Sequence, residues 1–169
     1  MILRRFLIAL FFLAALGSSS ANDKREPAPR FNARTLDGEK FTNDSIKGKV
    51  VLFEFWTTWC PYCRKEQAIV DKVAKEFADK GLLVLAINVA ESKKTVKKFL
   101  DDHPPKVRIV LTEDTNLAAM YQATSYPIYV VVDRDGFIAG VQRGAGGEGA
   151  LRDLLGRAGL ESPEDSGSN

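Results

Sequence analysis

Cys60 and Cys63 are the only cysteines of the 169-residue chain, and two residues separate them in the stretch WTTWCPYC. Cysteines at this spacing could form a structural disulfide, half of a metal site or a redox pair. A structural disulfide would close a loop of about four residues, and the stabilisation from a disulfide falls as its loop shortens. A zinc site needs two further ligands, and the sequence offers no other cysteine and a single histidine, His103. The spacing therefore favours a redox pair.

The residues around the pair place it between a strand and a helix. Residues 49–56, KVVLFEFW, form a nearly continuous apolar run, which is typical of a central strand covered on both sides. Residues 60–80 carry apolar residues at a spacing of four, which indicates a helix, and Pro61 suits the first helical position. Unpaired N–H groups and the dipole at a helix N-terminus favour a thiolate. We therefore predict that Cys60 attacks a partner's disulfide and that Cys63 resolves the mixed disulfide.

Two glutamates near the pair are candidates for proton transfer. Glu54 interrupts the apolar run six residues before Cys60, either as a solvated residue of an edge strand or as a buried carboxyl group. Edge strands are rarely apolar on both sides, so we expect a buried Glu54 with a raised pKa that can accept or relay the proton of Cys63. Glu66, one turn past Cys63, is either a first-turn carboxylate that complements the helix dipole or a second proton-handling group. The sequence leaves both roles of Glu66 open.

The first 21 residues have the layout of a secretory signal peptide. Two arginines are followed by an apolar run from Phe6 to Leu16 and by small residues, and we place the cleavage after Ala21. As a helix the run spans roughly 16 Å, short of a hydrocarbon core of ~30 Å, so cleavage is preferred to a retained anchor. Removal of this segment leaves 22 of the 24 basic residues against 22 acidic residues, which does not suggest a nucleic-acid partner. We predict a periplasmic protein, in a compartment where disulfides persist unless they are reduced.

The remaining sequence predicts one α/β domain. We expect a polar linker over residues 22–29, the domain over residues 30–160 and a disordered tail over residues 161–169. A hairpin is predicted around Asp37-Gly38, strands over 82–90 and 107–112, helices over 92–102 and 116–121, a second hairpin over 127–143, and a last helix that contains Leu151, Leu154, Leu155 and Ala158. Strands and helices alternate first and a hairpin follows, which indicates a sheet with helices on both faces.

Residues 144–149, GAGGEG, fit the pattern G-x-G-x-x-G of dinucleotide-binding sites. Such a site needs a further strand after its helix and an acidic residue about twenty positions on. One predicted helix is the last element after this segment. We therefore interpret it as a flexible turn, and we expect no dissociable cofactor and no metal.

The chain resembles the thioredoxin superfamily, and within it the exported TlpA/ResA-like thiol–disulfide oxidoreductases, over about residues 30–158. WCPYC is similar to the WCxxC of the family, and KGKVVLFEFW is similar to the strand before it. FNARTLDGEKF is similar to the extra N-terminal hairpin of that branch. YQATSYPIYVVVDRDG is similar to the stretch around the cis-proline of the family. The resemblance implies a thioredoxin-like fold, in which helices flank a central mixed sheet and an extra N-terminal β-hairpin is present.

The resemblance also implies roles for particular residues. It implies a cis peptide bond before Pro127, which the sequence pattern alone does not favour, and a position of Pro127 beside Cys60. It implies that the backbone of Tyr126 binds an extended partner segment by strand addition. Glu54 lies where thioredoxins carry a buried acid, and Glu66 where ResA-like proteins carry an acidic residue near the active site. We assign partner binding to Trp59, Pro61, Tyr62 and Tyr126.

The function that the resemblance implies is the reduction of disulfides in exported proteins such as apocytochromes c, by a monomer that a membrane redox partner supplies with electrons. Pro61 and Tyr62 between the cysteines, and Ile128 after Pro127, differ from the residues common in this branch. A disulfide-forming or isomerising role of the Dsb type therefore stays open. A third possibility is a non-enzymatic metal carrier or docking module of the same fold.

Overall fold

The structure of the protein, a computed structural model, describes residues 25–161. The predicted signal peptide lies outside the described residues, as do the start of the predicted linker and nearly all of the predicted tail. The strands are β1 (Asn32–Thr35), β2 (Lys40–Thr42), β3 (Val50–Trp56), β4 (Leu82–Asn88), β5 (Arg108–Thr115), β6 (Ile128–Val132) and β7 (Ile138–Arg143), and the helices are α1 (Pro61–Glu76), α2 (Lys93–Asp102), α3 (Leu117–Met120) and α4 (Gly147–Gly156).

The seven strands form one mixed sheet in the order β2-β1-β5-β4-β3-β6-β7. The strands β3, β4 and β5 run parallel, and the hairpin β1-β2 and the pair β6-β7 add antiparallel strands at the two edges. The apolar run predicted as a central strand is β3, and all seven of its residues are buried. The predicted thioredoxin-like fold with a central mixed sheet and an extra N-terminal hairpin is confirmed.

The strand β3 separates two apolar layers. Phe53 and Phe55 belong to the layer that the N-terminal hairpin and α3 close, and Val50 and Leu52 belong to the layer beneath α1 and α4. Side chains alternate along a strand. Glu54 therefore points into the second layer, on the side of the sheet that α1 covers.

The helix after the cysteines ends before the predicted boundary. Its α-helical part stops at Glu76, a short 3₁₀ turn follows over Ala78–Lys80, and Gly81 then adopts a positive φ of 84°. A glycine in the left-handed region is a common helix stop.

The described end of the predicted linker contacts the sheet. The amide of Ala28 donates to the carbonyl of Gly136 at 2.9 Å, and the amide of Ile138 donates to the carbonyl of Glu26 at 2.8 Å. These two hydrogen bonds bracket a short antiparallel bridge at the β6-β7 turn. Residues 26–28 are thus held against the domain.

Within residues 25–161, no helix combines the length and the apolar character that crossing a membrane requires.

Candidate active site

The end of β3 and the start of α1 hold a disulfide between Cys60 and Cys63. The two Cα atoms are 5.3 Å apart, and each cysteine is 2% exposed. Cys60 is the N-cap residue of α1, and its Sγ accepts a hydrogen bond from the amide of Cys63 at 3.0 Å, while Pro61 occupies the start of the helix. After reduction, this amide and the dipole of α1 favour a thiolate at Cys60.

Aromatic side chains surround the disulfide at the surface. Trp59 is 64% exposed and Tyr62 is 58% exposed. The ring of Trp59 meets the ring of Tyr126 edge to face, with centroids 5.9 Å apart, and Tyr126 packs against the cluster that contains both cysteines. The peptide bond between Tyr126 and Pro127 is cis, as the family resemblance implies. The contact between Trp59 and Tyr126 joins the cysteine segment, which carries Pro61 and Tyr62, to the segment that contains Pro127.

Glu54 is buried below the cysteines with a fractional exposure of 1%. Neither of its carboxyl oxygens has a hydrogen-bond partner among the residues that the structure describes. Burial, followed by the negative charges of Asp71 and Glu66, raises the pKa of Glu54 from 4.5 to about 8, because an apolar environment and like charges both disfavour a carboxylate. The predicted burial of Glu54 is confirmed, and that burial accounts for the direction of its pKa shift.

Ala86 links Glu54 to the cysteines through packing. It is the register partner of Glu54 on the neighbouring strand β4, and it belongs to the same buried cluster as Cys60, Cys63 and Trp56. Partners in register on adjacent strands project from the same face of a sheet. The carboxyl group of Glu54 therefore lies on the face on which Cys63 packs.

Glu66 is also buried, but its carboxylate contacts α4. Its Oε2 accepts a hydrogen bond from the hydroxyl of Tyr129 at 2.9 Å. Its Oε1 accepts bonds from the amides of Gly146, at 3.0 Å, and Gly147. Gly147 begins α4, so Glu66 complements the dipole of α4 rather than that of its own helix. The glycine-rich segment that the sequence presents as a flexible turn thus binds a carboxylate of the chain itself.

Glu91 is a residue of the site that the sequence analysis missed. Its carboxylate accepts hydrogen bonds from the amide and the hydroxyl of Thr58, both at 2.6 Å, and from the side-chain amide of Asn88 at 2.7 Å. Glu91 thereby fixes the loop that precedes Cys60. A signal was present, because the carboxyl ends of parallel strands meet at one sheet edge, and Thr58 and Glu91 each follow a predicted buried strand.

A narrow cavity of about 40 Å³ lies between α1 and α2, and Cys63 is one of the residues that line it. Trp56 and Phe99 form apolar walls, and His103 lies at its margin with its ring stacked on Phe99 at a centroid distance of 4.4 Å. A polar-edged space of this volume can hold one or two water molecules. Cys63 therefore borders a second small space, between α1 and α2, besides its contact with Cys60.

Comparison with known proteins places the chain in a family. Residues 25–141 match the model of the AhpC/TSA family. The chain belongs to the AhpC/TSA family. It is 38% identical over 122 residues to the thioredoxin-like protein YneN of Bacillus subtilis (strain 168), covering 70% of this chain and 71% of that protein. It is 27% identical over 157 residues to the thiol-disulfide oxidoreductase ResA of the same organism, covering 88% of each.

A solved structure supports the same assignment. The thiol:disulfide interchange protein of the thioredoxin family from Chlorobium tepidum TLS superposes with a TM-score of 0.70 at 28% identity, covering 82% of this chain and 99% of that one. The relatives and the Cys60–Cys63 pair together identify this family member as a ResA-like thiol–disulfide oxidoreductase.

The site residues of this oxidoreductase fall into two groups. Cys60 and Cys63 lie with the partner-binding candidates and Pro127 at the end of β3. Glu54 lies on the sheet beneath α1, and Glu66 is on the buried face of α1 itself. Tyr129 of β6 connects the two, as the register partner of Glu54 and the hydrogen-bond donor to Glu66. The sequence contained no indication of Tyr129 as a site residue.

Proposed function

We propose that this oxidoreductase works as a reductant of disulfides in exported proteins, and apocytochromes c are the substrate class that the family resemblance implies. The observation that carries the proposal is the electrostatic surroundings of the pair. The intervening Pro61 and Tyr62 bring no positive charge, and the two basic residues after Cys63 are exposed. The buried ionisable groups on this side of the sheet are acidic, namely Glu66 and Glu54, and Glu54 gains its charge as the pH rises through its pKa of about 8. A pair becomes a strong oxidant when its reduced form is stabilised. Acidic neighbours act in the opposite direction, because they disfavour thiolates.

The proposed reaction transfers two electrons from the cysteines to the partner. The thiolate of Cys60 attacks one sulfur of the partner's disulfide, forms a mixed disulfide and releases the partner's other sulfur as a thiolate. Cys63 loses its proton and attacks the sulfur of Cys60, which restores the Cys60–Cys63 disulfide and releases the partner's second thiolate. The partner gains the two electrons and two protons of a dithiol.

Glu54 is proposed as the group that takes the proton of Cys63. It lies on the sheet face against which Cys63 packs, and its oxygens have no competing donor within residues 25–161. With a pKa of about 8, Glu54 exchanges protons near neutral pH, which is where a general acid–base group is most effective.

Partner binding is proposed at the exposed aromatic surface. The side chains of Trp59 and Tyr62 are more than half exposed and would cover the segments that flank the partner's disulfide, with Pro61 between them. The backbone of Tyr126, next to the cis bond at Pro127, would pair with an extended segment by strand addition.

We place the working protein outside the cytoplasm, in the periplasm, as a monomer. The basic and apolar start of the sequence supports a cleaved signal peptide over residues 1–21, followed by the linker, the domain over residues 30–160 and a short tail. A membrane redox partner would return the oxidised pair to its dithiol form, because a reductant in an oxidising compartment needs a source of electrons.

The reduction potential of the Cys60–Cys63 pair tests the direction of electron flow. The mature protein is equilibrated in dithiothreitol or glutathione buffers, and tryptophan fluorescence follows the redox state. Among proteins that share this fold, reduction potentials run from about −270 mV in thioredoxin to about −120 mV in DsbA. We expect a value below about −220 mV. A value above about −150 mV would make the protein an oxidant that installs disulfides.

Reduction of insulin by dithiothreitol distinguishes an enzyme from a binding module. We expect the protein to accelerate the reaction, Cys60→Ser to abolish the acceleration, and Cys63→Ser to accumulate a mixed disulfide with the substrate. A metal carrier or docking module would give no acceleration, and a carrier would also bind metal when the reduced protein is titrated.

A further inference from the structure

We propose that Glu66 is a positioning residue, a negative charge fixed by the N-terminus of α4, which acts on the chemistry of Cys63 through Glu54. The inference rests on the proton-transfer role proposed above for Glu54, and it holds for either direction of electron flow. It also gives the glycine-rich segment before α4 a function.

The carboxylate of Glu66 is held by three donors from outside its own helix. The hydroxyl of Tyr129 donates to one oxygen at 2.9 Å, and the amides of Gly146 and Gly147 donate to the other. Both oxygens thus accept hydrogen bonds, as expected of an ionised carboxyl group. The N-terminus of a helix of ten residues also stabilises an anion through its dipole.

The backbone of the segment is built for this contact. Gly147 has a positive φ of 76°, which side chains with a Cβ rarely adopt. A Cβ added at Gly146 would lie 2.8 Å from the Cβ of Ala150 and 2.6 Å from the side-chain nitrogen of Gln142. Glycine at both positions therefore lets the two amides converge on one carboxylate oxygen.

These contacts make Glu66 unsuited to carrying a proton from Cys63 itself. A proton added to Glu66 would weaken the bonds from the two glycine amides or displace the hydroxyl proton of Tyr129, because both oxygens already accept from buried or partly buried donors. Leaving such donors unpaired costs free energy. Glu54, whose oxygens have no donor among residues 25–161, has no such bonds to lose.

The route from Glu66 to Glu54 passes through Tyr129. Tyr129 is the register partner of Glu54 on β6, and its hydroxyl bonds Glu66. The helix α1 presents two carboxylates to Glu54, those of Glu66 and Asp71, whereas its register partner on β4 is the uncharged Ala86.

The sign of the coupling follows from these charges. Burial is the main cause of the raised pKa of Glu54, and the charges of Asp71 and Glu66 raise it further. Neutralising Glu66 should therefore lower the pKa of Glu54, which burial still keeps above the ordinary value. Glu54 would then be ionised, and so able to accept the proton of Cys63, at a lower pH.

The test compares wild type, Glu66→Gln, Glu54→Gln and the double variant. Glutamine retains the size of Glu66 and an oxygen for the glycine amides while it removes the charge. The carboxyl ¹³C resonance of Glu54, assigned by its loss in Glu54→Gln, reports its titration. We expect Glu66→Gln to lower the midpoint by about half a pH unit or more. Glu113→Gln, an exposed carboxylate on β5, should leave the midpoint unchanged.

A kinetic measurement on the same variants asks whether Glu66 acts through Glu54. The rate at which Cys63 resolves the mixed disulfide with a small disulfide is followed against pH. The profile should move to lower pH in Glu66→Gln, and adding the same substitution to Glu54→Gln should produce no further movement. An unmoved midpoint of Glu54, or an equal movement in the Glu54→Gln background, would overturn the proposal.

Wild type itself provides a check that does not depend on the folding of Glu66→Gln. The Glu54 resonance should titrate well above the ordinary range of a carboxyl group, and an ordinary midpoint would contradict the proposal. If Glu54 does not take the proton of Cys63, Glu54→Gln should leave the resolution rate unaltered. That outcome is distinct from failure of the coupling, because the midpoint of Glu54 could still move in Glu66→Gln.

Discussion

Glu54 carries a carboxyl group into a layer of the sheet where the described residues offer neither oxygen a hydrogen bond. Folding raises its pKa from 4.5 to about 8. Between these two pH values the native state holds a proton that the unfolded chain has released. The free energy of unfolding therefore decreases as the pH rises through this range and levels off above pH 8. The proposed catalytic role of Glu54 thus has a cost in stability at neutral pH.

We predict that Glu54→Gln removes this pH dependence. Relative to wild type, the variant should gain roughly 2 to 4 kcal/mol in the free energy of unfolding between pH 5 and pH 8, because a neutral side chain has no proton to release. Guanidinium chloride unfolding of the oxidised proteins at both pH values measures the difference. Glu113→Gln should stay within about 0.5 kcal/mol of wild type. A gain independent of pH would contradict the raised pKa.

The two buried glutamates show how much of the site could be predicted from the sequence. The burial of Glu54 was predictable, because its immediate neighbours are apolar on both sides. The environment of Glu66 was not, since Tyr129 is 63 positions away and Gly146 is 80 positions away. Such contacts depend on how β6 and α4 pack against α1, and no local pattern records that packing.

The loop between β3 and Cys60 depends on the loop that follows β4. Glu91 accepts three hydrogen bonds, from the amide and hydroxyl of Thr58 and from the side chain of the fully buried Asn88. Since β3 and β4 are adjacent parallel strands, this contact joins their carboxyl ends. The position of the disulfide therefore relies on two strand–loop units rather than on β3 and α1 alone.

We predict that Glu91→Ala loosens the cysteine loop. Loss of hydrogen bonds to a charged acceptor, with donors left unpaired, should lower the free energy of unfolding by about 1 to 3 kcal/mol. Hydrogen exchange at the amide of Thr58 should become faster, and insulin reduction slower. Glu113→Ala serves as the exposed control. Unchanged protection of the Thr58 amide would show that Glu91 does not brace the loop.

The elements were predicted with more success than their lengths. β3 and β4 are long apolar runs because the sheet is covered on both faces, and such runs are readily recognised as buried strands. The predicted strand over residues 107–112 continues as β5 to Thr115, through the polar residues Glu113 and Asp114. The extension follows from pairing with β1, in which Ala33 faces Thr115. Backbone pairing with β1 holds this part of β5 without an apolar pattern, so the sequence could not reveal the extension.

The direction of electron flow is a property of the entire folded domain, because it reflects whether folding favours the disulfide or the dithiol. In a thermodynamic cycle, a folded pair that is more reducing than the unfolded one makes the oxidised protein the more stable form, at about 1.4 kcal/mol per 30 mV. The four-residue loop of Cys60–Cys63 restricts the unfolded chain little. The difference between the two forms therefore reports mainly on native interactions, among them those of the acidic groups between α1 and the sheet.

We predict that the oxidised protein resists guanidinium chloride better than the reduced protein, by on the order of 1 to 3 kcal/mol at neutral pH. Parallel unfolding curves with and without dithiothreitol measure the difference. The double variant Cys60→Ser, Cys63→Ser is the control, and its unfolding curve should be the same with and without dithiothreitol. The acidic surroundings of the pair favour this sign, because Glu66, joined by Glu54 as the pH rises through its pKa of about 8, disfavours the thiolates of the reduced form. A reduced form that is the more stable one would mean that the helix N-terminus outweighs Glu54 and Glu66, and the protein would then be an oxidant.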